Sequence, residues 1–224
     1  FVPRRRSVDN AIVVQELIHT ISNKKEQGGY MAIKVDLEKA YDKIEWSFIR
    51  EVLINANLSH NLVNLIMSCV SSVSTSILFN GGIAEPIFPS RGIRQGDPLS
   101  PYLFILCMEV LGHIIEDKCS EKSWVPVKSS QSGMAFSHLF FADDLVLFAK
   151  ADHVNCSTIR DVLDDFCTRS GQSISESKSR VYFSPNVDVD TRESLCAILG
   201  FKSTTNPGKY LGFPLKHRGG NNQD

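Results

Sequence analysis

Two aspartates, Asp143 and Asp144, stand side by side in HLFFADDLVLFAK (138–150), between the apolar runs Leu139-Phe140-Phe141 and Leu145-Val146-Leu147-Phe148. Such flanks are built for a protein interior, where ionised carboxylates are costly unless something positive meets them. The pair alone is a weak signal, because Asp tolerates turn geometry and is readily solvated there. A third carboxylate changes the weighing. Asp36 ends the alternating stretch YMAIKVD (30–36), and the end of a strand is where a sheet presents functional groups. With that strand beside the acidic hairpin, three carboxylates converge and repel, raising one or more pKa values unless divalent cations neutralise them. Mg²⁺ suits the cluster, since it prefers oxygen ligands and keeps waters that leave room for substrate phosphates. Two such ions about 3.5–4 Å apart activate an attacking hydroxyl and stabilise a leaving pyrophosphate, and phosphoryl transfer then needs mainly positioning and charge neutralisation.

The elements that must hold these residues follow from periodicity. A first helix is expected from Ser7 or Asp9, with Ile12, Val13, Glu16, Leu17 and Ile21 at helical spacing, stopping at Gly28-Gly29. YMAIKVD reads as a strand with Met31, Ile33 and Val35 on one face and Ala32, Lys34 and Asp36 on the other. From Leu37 the period predicts one helix to about Asn55, then another over 59–71 capped by Ser59, with Leu62, Leu65, Ile66 and Cys69 inside. Residues 73–79 and 83–88 form a hairpin turning at Asn80-Gly81-Gly82. After the polar loop SRGIRQGDPLS, Ser100 caps a helix, apolar on most sides, that carries Pro101 in its first turn and runs to about Cys119. A loop through Gly133 leads to the acidic hairpin, then a helix over about 153–169 ending at Gly171 and an extended stretch over 173–184. Asp190 with Glu193 resembles a capping box on a short helix ending at Gly200. Interleaved helices and strands around an antiparallel hairpin fit an α+β domain, helices packed on one face of an antiparallel sheet.

Composition sets the outer limits. The chain has 224 residues, 42% hydrophobic and 22% charged, with a net charge of -1, so any binding to nucleic acid must come from a local patch. No apolar run approaches the roughly 20 residues of a membrane span. Six cysteines, at 69, 107, 119, 156, 167 and 196, include no C-x-x-C pair and read as small buried residues of a reducing, intracellular compartment, nucleus or cytoplasm. The chain starts without methionine, shows no signal-peptide pattern and finishes in the polar HRGGNNQD, which points to a piece of a longer polypeptide. Residues 1–216 are expected to form the domain and 217–224 a polar tail.

Five stretches then carry a resemblance in order: DLEKAYD (36–42), RQGDPLSPYLF (94–104), FADD (141–144), SGQSISESKS (170–179) and YLG (210–212). They are similar to successive motifs of the reverse transcriptase domain of non-LTR, LINE-type retrotransposons, most like the plant elements. FVPRRRSVDNAIVVQELIH (1–19) resembles the segment before the first catalytic motif. The resemblance implies a polymerase palm with part of the fingers and RNA-directed DNA synthesis. Its partners would be an RNA template with a DNA primer, deoxynucleoside triphosphates and two Mg²⁺ ions, with Mn²⁺ as a substitute. It makes Asp36 and Asp143 the principal metal ligands, with Asp144 completing the cluster. It makes Tyr41 the aromatic gate against a 2′-hydroxyl, the alternative being a core aromatic. Gln95 and Gly96 would lie against nucleotide and template, and Arg91 and Arg94 would contact phosphate or be solvated loop arginines. Lys178 would sit near the triphosphate or be an exposed strand lysine; Tyr210, Leu211 and Gly212 would steady the primer end. His138 reads as structural. The chain departs from the family at Arg4, where Gly is usual, and at Ser175, where Asn is commoner. The resemblance also implies upstream finger segments, a thumb and an endonuclease, which are expected to lie outside these 224 residues. A non-catalytic remnant, an intron-maturase-type reverse transcriptase and another two-metal palm enzyme, such as a nucleotide cyclase or RNA polymerase, remain the alternatives.

Overall fold

A computed structural model describes residues 6–24, 28–130 and 133–215. Arg4 and the tail over 217–224 lie outside the described residues. In chain order the first elements are α1 (Ser7–Asn23), β1 (Tyr30–Asp36), α2 (Ala40–Lys43), α3 (Trp46–Asn55), α4 (His60–Ser71), β2 (Leu78–Phe79), β3 (Gly82–Ile83) and α5 (Ser100–Ser120). They are followed by β4 (Val127–Lys128), β5 (Ala135–Phe136), β6 (His138–Phe141), β7 (Asp144–Lys150), α6 (His153–Ser170), β8 (Arg180–Phe183), α7 (Val189–Leu199), β9 (Lys202–Thr204), β10 (Lys209–Tyr210) and β11 (Phe213–Pro214). They group into two units, one of residues 1–37, 111–165 and 174–224, the other of 38–110 and 166–173.

The first unit is built on a five-stranded sheet in the order β6-β7-β1-β8-β9. Its pairings are antiparallel as expected, except the edge strand β9, which runs parallel to β8. That reversal follows from α7, which carries the chain over between the two strands. Strand β1 is central, and its alternation works as read: Met31, Ile33 and Val35 are buried on one face, with the thiol of Cys156 on α6 lying 3.8 Å from the Met31 sulfur. The opposite face carries Ala32, Lys34 and Asp36. There Ala32, Val146, Phe148, Leu139 and Tyr182 form an apolar cluster with Val14, Leu17, Ile18 and Ile21 of α1 and with Tyr210 and Leu215. The buried stripe of α1 is therefore Ala11, Val14, Leu17, Ile18 and Ile21, while Ile12 faces solvent.

The second unit departs from the reading in two places. The single helix expected to run from Leu37 to Asn55 is two, broken at Ile44 and Glu45, which take extended backbone. Tertiary bonds replace the helical ones: the Ile44 carbonyl accepts the Gly92 N–H at 2.8 Å, and the Glu45 N–H donates to the Ser170 carbonyl at 2.9 Å. On α4 the buried residues are Val63, Met67 and Val70; Leu62, Leu65 and Cys69 are exposed. The helix offers two apolar stripes and packs α3 with the one that sequence alone did not favour.

Smaller corrections concern caps and extents. Ser100 is the first residue of α5, preceded by an Asp97 carboxylate that accepts the Leu99 N–H at 2.8 Å. That helix buries one stripe, including Leu103, Phe104, Cys107, Leu111 and Ile115, and leaves Tyr102 exposed. The cap of α7 is Asp188, whose carboxylate accepts the Thr191 N–H, rather than Asp190. Within the stretch expected to be extended over 173–184, only Arg180–Phe183 forms a strand; 176–178 is a turn. None of the six cysteines forms a disulfide, and of the six expected to be buried only Cys107 and Cys156 are. Among the described residues no helix is long and apolar enough to cross a membrane.

Candidate active site

Asp36 and Asp144 are direct partners in the β1–β7 register, over a hundred residues apart in sequence. Paired residues share a face, so both carboxylates rise on the side that carries Lys34. The hairpin tip is the two residues Ala142 and Asp143, because Phe141 pairs Asp144. Asp143 is exposed at that tip and Asp144 half-buried. Ala142 takes φ +51, a left-handed backbone that costs a non-glycine residue on the order of 1 kcal/mol. The strain is held in place by the buried residues of β7, Leu145 to Ala149.

Burial pushes the Asp144 carboxyl up; the Lys34 ammonium pulls it back, and the neighbouring Asp143 and Asp36 charges push it up again. Within the protein, then, the Lys34 charge partly offsets that of Asp144.

Asp36 is fixed through its main chain. Its N–H donates to the Ser179 hydroxyl at 3.1 Å and its carbonyl accepts the Ser175 N–H at 2.8 Å. The SGQSISESKS stretch thus grips the end of β1 from a neighbouring turn, and Ser175 makes its contact through backbone. Lys178 lies in that turn, not on a strand; its ammonium is 3.8 Å from Asp36 Oδ1 with the side chain 71% exposed. At that exposure the pair contributes little to stability, and the ammonium is free to serve another anion. Arg180 donates to the Ser177 and Ser179 carbonyls at 2.6 and 2.7 Å and so holds the turn's shape.

A cavity of about 260 Å³ opens on this same face. Asp36, Lys34, Lys178 and Arg180 line one part of it and apolar residues such as Val14 and Tyr210 the rest. Tyr210 is fully buried, while Leu211 and Gly212 form the β10–β11 turn with φ +50 and +82. His138 packs on Phe140, ring centroids 4.6 Å apart, as a structural residue would.

Tyr41, Arg94, Gln95 and Gly96 fall in the second unit. Tyr41 is half-buried and stacks on Phe104 at 4.7 Å between ring centroids; its carbonyl accepts the Ile93 N–H at 2.8 Å. Arg94, Gln95 and Gly96 are exposed. Gly96 has φ +89, and a Cβ built there would meet nothing within 4 Å. Its backbone therefore demands glycine while the space before it stays open. Arg91 pairs with Glu45 at 3.5 Å.

Among the described residues, no three His, Cys, Asp or Glu side chains are gathered closely enough to hold a metal ion. The donors present are the facing Asp36 and Asp144 with Asp143 beside them in the turn. An all-oxygen set suits a hard divalent cation, and the Asp143 and Asp36 charges, which add to burial in raising Asp144, are of the kind a cation offsets. Sequence reasoning missed Lys34, Ser179 and Asn10, whose side-chain amide donates to the Phe140 carbonyl at 3.2 Å. A signal for Lys34 was there: alternation places it on the face of Asp36.

Comparison with known proteins agrees with this geometry. Residues 3–215 match the family described as reverse transcriptase (RNA-dependent DNA polymerase). The chain is 29% identical over 178 residues to the retrovirus-related Pol polyprotein from type-2 retrotransposable element R2DM of Drosophila melanogaster, covering 80% of this chain and 16% of that protein. It is 47% identical over 68 residues to the uncharacterized mitochondrial protein AtMg01250 of Arabidopsis thaliana, covering 30% and 55% respectively. The chain thus spans well under two thirds of either relative. Apo telomerase from Candida tropicalis, truncated from its C-terminal domain, shares the fold with a TM-score of 0.59 at 12% identity, over 81% of this chain and 36% of that one. The palm with part of the fingers expected from the motifs is the fold observed, and the likeness to non-LTR retrotransposon domains is borne out. With facing aspartates at the end of its central strand and a family match running through all five motifs, the chain belongs to the reverse transcriptase family.

Proposed function

We propose that this chain is the catalytic palm, with part of the fingers, of an RNA-directed DNA polymerase from a non-LTR retrotransposon, residues 1–216 acting as one functional piece of a longer polyprotein in the nucleus or cytoplasm. The observation that carries the reading is the pairing of Asp36 with Asp144 at the open end of the sheet, with Asp143 on the adjoining tip. Asp36, Asp143 and Asp144 would hold two Mg²⁺ ions, or Mn²⁺. Bound there, the ions would lower the pKa of the primer 3′-hydroxyl and neutralise charge as pyrophosphate leaves the α-phosphate of a deoxynucleoside triphosphate.

The chain's own residues supply the positioning. Asp36, gripped through both its N–H and its carbonyl, offers a carboxylate whose direction is set by backbone. Lys178, exposed beside it, offsets the charge of a triphosphate or gives a proton to the leaving pyrophosphate. The Leu211-Gly212 turn presents backbone to the primer end, since the Tyr210 ring is committed to the core. Arg94 offers a guanidinium to phosphate, and Gln95 and Gly96 offer an unobstructed surface to template and nucleotide. Tyr41, braced by Phe104, closes against a 2′-hydroxyl.

The test is primer extension on an RNA template with Mg²⁺, using this chain joined to the flanking polyprotein segments. Wild type should extend a DNA primer and Asp143→Asn should abolish extension; a variant extending at the wild-type rate overturns the site. In the same assay Tyr41→Val should admit ribonucleotides, and unchanged sugar selectivity would remove the gate.

A further inference from the structure

Lys34 stands two residues before Asp36 on β1 and therefore on the same face. Its register partners are Val146 on β7 and Arg180 on β8. Two cations directly across a sheet repel, so their retention there calls for separate employment. Arg180 is occupied by the Ser177 and Ser179 carbonyls. The Lys34 ammonium reaches the other way and donates to the Lys209 carbonyl at 3.0 Å. Lys209 is the residue immediately before Tyr210, in the first strand of the short β10–β11 hairpin.

At its base the hairpin closes on itself, the Leu215 N–H donating to the Gly208 carbonyl at 2.8 Å. It pairs internally at Lys209↔Pro214 and Tyr210↔Phe213, and its tip and second strand are largely exposed. Tyr210 and Leu215 bury their side chains in the apolar cluster, and burial by itself is non-directional. A charge-assisted hydrogen bond to one particular carbonyl fixes distance and orientation. Through Lys34 the fixed point lies on the strand that carries Asp36.

We propose that Lys34 is a positioning residue: it ties the Tyr210-Leu211-Gly212 hairpin to the strand of Asp36 and so sets where a primer end lies relative to the acidic pair. The inference rests on the polymerase reading for its consequence, but the tie itself is a property of the chain.

Two measurements separate them. Hydrogen exchange on the 224-residue chain needs no activity: Lys34→Met, which keeps the apolar stem, should speed exchange at residues 208–215 about tenfold and leave the β1–β7 amides unchanged. Lys34→Arg should restore protection. In primer extension by the chain within its polyprotein, Lys34→Met should raise the KM for primer–template about tenfold, with the deoxynucleotide KM within about twofold of wild type. Unchanged exchange at the hairpin overturns the tie. A higher deoxynucleotide KM with normal primer KM overturns the positioning role and makes Lys34 a nucleotide contact. Absence of extension by wild type, with the exchange difference intact, would count against the polymerase reading and leave the tie standing.

Discussion

The molecule contains two hairpins whose strands carry apolar residues with opposite fates. β6–β7 is embedded: Leu145 to Ala149 are buried, and one face packs on α1. In β2–β3, Leu78, Phe79 and Ile83 are 72%, 72% and 79% exposed. The tips differ in the complementary sense. Asn80 and Gly81 adopt φ +48 and +78, the conformation an Asn-Gly turn favours without help. Ala142 is held at φ +51 with a side chain ill-suited to it. The exposed hairpin is therefore specified by its turn, and the embedded one by its neighbours, which also keep a strained, charged tip in place.

The largest effect that could break this contrast is on core packing. Phe148→Ala should cost about 3–5 kcal/mol in unfolding free energy, the range for a buried aromatic, whereas Phe79→Ala should stay within about 0.5 kcal/mol, as exposed substitutions do. Similar losses at both positions, read from denaturant midpoints, would mean that β2–β3 is as embedded as β6–β7. Next come the tips. Ala142→Gly should stabilise by about 1 kcal/mol and Gly81→Ala should destabilise by about as much; equal signs in thermal unfolding would show that turn strain does not distinguish them.

The smallest effect is electrostatic. The Asp144 carboxyl is raised in the folded state by burial and by Asp143 and Asp36, against the pull of Lys34. The folded chain thus holds that proton more tightly than the unfolded one, so the ionised group destabilises at neutral pH and the penalty fades as pH falls through the raised value. Asp144→Asn should consequently raise the melting temperature at pH 7, and the difference from wild type should shrink towards pH 4. A difference independent of pH would assign the effect to packing instead.

Much of the candidate site is legible in the sequence. Alternation in YMAIKVD gave the face of Asp36, and a hairpin around Asp143-Asp144 gave its partner, because both signals are local and strong. What escaped reading depended on distant backbone. The break at Ile44 exists because residues 92 and 170 offer bonds that the helix cannot match. The buried stripe of α4 depended on which of two apolar faces met α3. The Asp190–Glu193 spacing suggests a cap two residues too late; the cap is Asp188, whose carboxylate accepts the Thr191 N–H. Lys34 shared a face with Asp36 by inspection, yet its partner is a main-chain carbonyl, and carbonyls leave no trace in a sequence.

Strand β1 occupies the middle of its sheet, but both strands that flank it, β7 and β8, come over a hundred residues later in the chain. During synthesis it emerges with two open edges and waits through most of the chain for its partners. Closing loops of that length is slow, and an unpaired apolar strand is a template for association with other chains. Lys34 and Asp36 lie in the C-terminal half of that waiting strand, two charges in a run otherwise suited to aggregation. The two charged residues of the proposed site also discourage β1 from pairing with the wrong neighbour before its sheet is complete.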